Sequence, residues 1–181
     1  MSQIKELYPK SEIRISIVGY RDHRDINRFE VQPFTTSVDQ AKDFLDRLQA
    51  TGGDDTAEDI NGAFQKCLYT LDWQNPVRIA ILIADAPCHG KGYHNCNDSY
   101  PNGHKEDKPW DQIFKDLVEK RIDFLFLKIT DYTDIMFRKF KEHAEKAGAN
   151  EAEISFTQEL ANQNSNLVAE GKTKAKAEDH F

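Results

Sequence analysis

The sequence predicts an α/β fold: a doubly wound, mostly parallel sheet with helices on both faces. Two runs carry the prediction. Ile79-Ala-Ile-Leu-Ile-Ala-Asp85 is an unbroken apolar stretch halted by one carboxylate and then by Pro87, the pattern of a strand buried on both faces of a parallel sheet. Ile13–Tyr20 repeats the design and delivers Arg21, Asp22 and His23 to the same rim. Such rims, at the carboxyl ends of strands, are where open α/β sheets bind ligands.

The remaining elements follow in chain order. Phe29–Phe34 reads as a short strand that Pro33 pushes to the sheet edge, where a missing backbone donor costs least. Val38, Ala41, Phe44, Leu45 and Leu48 recur at helical spacing, and Thr51-Gly-Gly53 stops that helix. A second amphipathic face follows in Ile60, Ala63, Phe64, Cys67, Leu68 and Leu71. From Cys88 to Lys108 all period is lost, and a loop of that length in a small domain is a functional candidate. Pro109 suits a first helical turn ahead of Trp110, Ile113, Phe114, Leu117 and Val118. Ile122–Ile129 is another buried strand. Ile135, Met136, Phe140, Ala144 and Ala147 mark a further helix closed by Gly148. Glu153–Thr157 gives a last short strand and Glu159 towards Gly171 a helix, while Lys172–Phe181 has too little apolar surface to fold. One domain over residues 1–160, followed by a helix and loose polar tail over 161–181, is the expected organisation.

Composition narrows the function. A net charge of -7 and a pI near 5.4 disfavour a nucleic-acid or anionic-membrane partner, because no Lys/Arg stripe is present to neutralise phosphates. No apolar segment approaches the roughly 20 residues of a membrane span, and the first residues lack the apolar block of a signal peptide. Three cysteines with no mark of secretion point to a reducing, cytoplasmic setting.

Three loops should meet above the sheet: Tyr20-Arg-Asp-His23, Gly52-Gly-Asp-Asp-Thr56 and Ala84-Asp-Ala-Pro87. Asp22, Asp54, Asp55, Thr56 and Asp85 are oxygen donors of the kind hard cations such as Mg²⁺ select. Asp55 or Thr56 equally suits a helix cap, with Glu58 or Asp59 completing a capping box, and one residue can serve both ends. Cys88, His89, His94, Cys96 and His104 crowd one loop, in a spacing that matches no familiar zinc module. Gly52-Gly53 follows a helix and lacks the Gly-x-x-x-x-Gly-Lys-Ser/Thr context of a phosphate loop. Nothing supplies a kinase glycine loop, phosphate-binding Lys or catalytic base.

Gly-Tyr-Arg-Asp-His, Thr-Gly-Gly-Asp-Asp-Thr-Ala-Glu-Asp and Ala-Asp-Ala-Pro-Cys-His-Gly, in that order between about Ile13 and Phe156, resemble the von Willebrand factor type A (vWA) domain. The likeness is to the version found in alpha-kinase and myosin heavy chain kinase-like proteins. The resemblance implies a metal-ion-dependent adhesion site that completes the coordination of Mg²⁺, Mn²⁺ or Ca²⁺ with an acidic group from a partner protein, without catalysis. It implies metal roles for Asp85, Thr56, Asp55, Asp54 and Asp22, beside a partner-binding loop carrying His23, His89 and His94. The family's Asp-x-Ser-x-Ser at the end of a first central strand has no counterpart, so the resemblance also implies a sheet lacking that strand and a weakened affinity for metal. The alternatives are a regulatory vWA module associated with an alpha-type serine/threonine kinase, and a metal-independent scaffold fragment.

Overall fold

The computed structural model describes residues 6, 9–53 and 55–150, together with the backbone of 154–157. Within them the chain is a mixed α/β fold with two small sheets. β1 (Ile15–Tyr20) pairs antiparallel with β2 (Phe29–Thr35). β3 (Ile79–Ala84), β4 (Asp123–Lys128) and β5 (Ile154–Thr157) run parallel in the order β3-β4-β5. Four helices connect them: α1 (Val38–Arg47), α2 (Ile60–Tyr69), α3 (Trp110–Glu119) and α4 (Asp134–Lys146). The expected helix after Glu159 and the tail fall outside the described residues.

Local chemistry explains the helix ends. Ser37 caps α1 by accepting from the Gln40 N–H, and Asp59 caps α2 by accepting from the Gly62 N–H at 2.8 Å. Pro109 is the residue just before α3 and not its first turn. At the end of α4, Gly148 takes φ 83° while its N–H bonds the Glu145 carbonyl and that of Ala149 bonds the Ala144 carbonyl, the double bond of a Schellman turn.

The core lies between the β3-β4 face and helices α2, α3 and α4. Phe64, Phe114, Phe124 and Phe140 pack with ring centroids 5.3–6.2 Å apart, and Trp110 sits 4.4 Å from Phe140. Offset and edge-to-face aromatic pairs at such distances add to the burial of apolar area. Leu82 and Ala84 of β3 face this core.

β3 departs from the expected strand buried on both faces. Ile79, Ile81 and Ile83 are 55–56% exposed, so among the described residues only the even-numbered side is covered. An unbroken Ile/Leu run carries no period, so the sequence cannot say which face is covered. β1 and β3 also share no ladder. The Tyr20 hydroxyl reaches across from the end of β1 to the Ile83 carbonyl at 3.4 Å, which brings the carboxyl ends of the two strands together.

Candidate functional site

Three segments build the rim. The first is the loop after β1, fixed by Arg21, which donates to the Asn27 carbonyl (2.7 Å), to Glu30 (2.6 Å) and to the Gln49 carbonyl (2.9 Å). The second is Asp55–Asp59, joined to the chain beyond β3 where the Glu58 N–H bonds the Pro87 carbonyl at 2.9 Å and Glu58 bridges Cys88. The third is the long loop before α3. Asn61 anchors its far end through Nδ2 to the Lys108 carbonyl (2.9 Å) and through Oδ1 to the Lys108 N–H (3.1 Å).

His89 links all three. Its Nε2 lies 2.7 Å from Asp22 Oδ1 and its Nδ1 lies 2.7 Å from Asp98 Oδ1. Burial opposes charge on this ring, but the hydrogen bonds to Asp98 and Asp22 outweigh it and raise the His89 pKa above the ordinary histidine value. Asp98 also accepts from the Gly90 N–H (2.8 Å) and the Tyr100 N–H (2.7 Å), and these bonds with His89 overcome its burial and hold its pKa below the carboxylate range. Asp55 accepts from the Ala57 N–H (2.9 Å) and the Ser99 N–H (2.6 Å), so it joins the His89–Asp98 group.

A carboxylate group sits above β1 and β3. Asp22 is 2% exposed, and its Oδ2 has no hydrogen-bond partner. Glu58 Oε2 is likewise buried without one. Burial first, and then the charges of Asp22, Asp25 and Asp85, push the Glu58 pKa up to about 7. Each buried polar atom left without a partner costs about 1–3 kcal/mol, so two at one place mark a site arranged for something other than stability.

The expected ligands divide accordingly. Asp22 and Asp85 converge electrostatically on Glu58. Asp55 belongs with His89 and Asp98, and Thr56 is exposed with its hydroxyl bonded to Cys96. Asp54 lies outside the described residues. His94 bonds Asp98 (3.1 Å) and Cys96 (3.1 Å), and Cys88 is buried against Met136, so the cysteines and histidines of the loop do not gather into one tetrad. Glu58 and Asp25 join the site only through the structure. Glu58 fits a capping box equally well, and Asp25 shows itself only where it receives the Asp22 and Gly53 N–H groups at 3.1 and 3.2 Å.

A second cluster lies beneath, around His23. Its side chain is 2% exposed and neither ring nitrogen has a hydrogen-bond partner. It stacks between His104 (4.1 Å) and His89 (5.2 Å), with Tyr100 edge-on at 4.7 Å. Burial, then the charge of Arg28 and the neighbouring histidines, pushes its pKa down to about 3. His23 and His89 therefore belong to the buried polar framework and not to an exposed partner-binding surface.

The fold and site define a small mixed α/β module whose rim and underlying layer are lined with carboxylates and imidazoles. No known family model matches the chain. Over 118 residues, 64% of its length, it is 33% identical to the alpha-protein kinase vwkA of Dictyostelium discoideum. That match takes in 19% of the kinase, so the chain spans about a fifth of its curated relative. Among the described residues no helix is long and apolar enough to cross a membrane.

Proposed function

We propose that the chain is a non-catalytic protein-interaction module of the vWA type, associated with alpha-kinase proteins, in which rim carboxylates hold a hard divalent cation that receives an acidic group from a partner. The observation that carries this reading is the pair of buried, unpartnered carboxylate oxygens, Asp22 Oδ2 and Glu58 Oε2, within reach of the Asp85 charge. All-oxygen donors fit Mg²⁺, Mn²⁺ or Ca²⁺. Asp22, Glu58 and Asp85 would hold the ion, which would supply positive charge to an acidic partner group.

These three do not come within 4.8 Å of one another as a set, which suits an ion that keeps several of its waters and binds weakly. Under this reading β1, β2 and β3–β5 belong to one doubly wound sheet, with a central strand due between β1 and β3. The uncovered row Ile79, Ile81 and Ile83 lies on the second face of β3, which the other helix layer of a doubly wound sheet would cover. The kinase relative supports the association with alpha-kinases, and kinase activity is expected to reside elsewhere.

Titration of Mn²⁺ and Mg²⁺ against the folded chain, followed by NMR line broadening or calorimetry, tests the proposal. Saturable binding that falls in Glu58→Gln and Asp85→Asn is expected. An unsaturable response in the parent chain overturns it. Partner capture that persists unchanged in EDTA favours the metal-independent scaffold.

A further inference from the structure

Below the rim carboxylates, His23, Asp59 and Asp107 come together from the loop after β1, the cap of α2 and the end of the long loop. We propose that these three side chains form a second, separate site for a divalent transition ion of the zinc type. His23 Nε2 stands 3.7 Å from Asp59 Oδ1 and 3.9 Å from Asp107 Oδ1, and the ligand atoms of all three lie within 4.8 Å of one another.

Those distances are too long for hydrogen bonds but suit a bridging ion. With metal–ligand bonds of about 2.1 Å, two ligand atoms of one ion stand between ~3.4 Å apart at the tetrahedral angle and ~4.2 Å apart in line. His23 Nε2 and Asp107 Oδ1 are both buried without a hydrogen-bond partner, and one ion would satisfy them together. Asp59 Oδ1 has a single partner, the Gly62 N–H, which leaves it free to accept another.

The donor set selects the metal. An imidazole with two carboxylates favours zinc and its neighbours over Mg²⁺ or Ca²⁺, and three protein ligands leave a fourth position open. His104 and Glu106 form an overlapping set with His23 and are the nearest candidates for it.

The surrounding groups orient these ligands. Arg28 donates to Asp59 Oδ2 (2.5 Å) and to Glu106 (2.8 Å), and the His104 N–H donates to Asp107 Oδ2 (2.7 Å). Arg28 also opposes a cation, but Asp59, Asp107 and Glu106 carry three negative charges against its one. The balance matches a dication.

Zn²⁺ calorimetry and Co²⁺ visible absorption on the full chain test the site, with folding of each variant checked by circular dichroism. One ion per chain is expected, bound more tightly than Mg²⁺, with a Co²⁺ spectrum of low coordination number. Asp107→Asn, which keeps the shape, and His23→Gln should each weaken binding by at least ~10-fold, while Glu58→Gln, Asp85→Asn and Cys96→Ser leave it unchanged. No saturable Zn²⁺ or Co²⁺ binding by the folded chain overturns the proposal. So does binding that survives both Asp107→Asn and His23→Gln or that is lost in Cys96→Ser. The rim site fails separately, through loss of the Mg²⁺ response alone.

Discussion

Glu58 and His23 are displaced in opposite senses, and their signs set opposite pH dependences. Glu58 rises from 4.5 to about 7, so the folded chain takes up its proton first. Its contribution to stability is full below pH 4.5 and is lost as pH climbs through 7. His23 falls from 6.5 to about 3, so the unfolded chain is protonated first. Its contribution is present above pH 6.5 and is lost as pH drops towards 3. The two oppose each other between pH 4.5 and 6.5, and only a difference measurement separates them there. In EDTA, Glu58→Gln should gain on the parent chain as pH rises from 5 to 7.5, by up to about 2 kcal/mol and less where solvent screens the half-buried carboxyl. Urea denaturation of both proteins across that range measures it, and a difference that stays flat means Glu58 is ionised in the fold. Asp22 and Asp85 are legible in the sequence because each lies within two residues of the carboxyl end of a strand. Glu58 was hidden by its plausible role in capping, and Asp107 by its place in an aperiodic loop 84 residues from its partner His23.

At the scale of elements, the start of α2 shows how a cap serves the site. Asp59 caps the helix and at the same time faces Arg28 and His23, which is possible only because Gly62 lets its carboxylate and the Phe29 ring approach closely. A Cβ on Gly62 would stand 2.3 Å from Asp59 Oδ2 and 2.4 Å from Phe29 Cζ. The ring cannot swing away cheaply, since Arg28 and Lys66 lie over it at 4.9 and 5.3 Å. Gly62→Ala adds up to about 1 kcal/mol of helix propensity but forces a shift costing typically 1–3 kcal/mol. A net loss of stability is therefore expected in thermal or urea unfolding, and a stabilised variant would mean the cap region repacks freely. The helices themselves were legible because a 3.6-residue period survives in α1, α2, α3 and α4. The long loop has no period, so its anchoring by Asn61 and Asp98 emerged only from the coordinates.

For the whole molecule, the strand–helix alternation was legible, while the way the strands divide into sheets was not. Apolar runs announce strands but not their neighbours, and β1 and β3 share no ladder. The two faces of β3-β4 should consequently respond very differently to substitution. Phe126 is fully buried among the rings of the core, and Phe126→Ala should cost about 3–5 kcal/mol through lost burial and the cavity left behind. Ile81 is 55% exposed on the opposite face. Ile81→Thr keeps the β-branch that strands favour and should cost about 1 kcal/mol or less. Equilibrium urea denaturation of the two variants at several protein concentrations measures both numbers. A cost at Ile81 approaching that at Phe126 would show that the row is covered in solution. If that cost grows with protein concentration, the cover is a second copy of the chain; if it does not, the cover is a segment of the same chain.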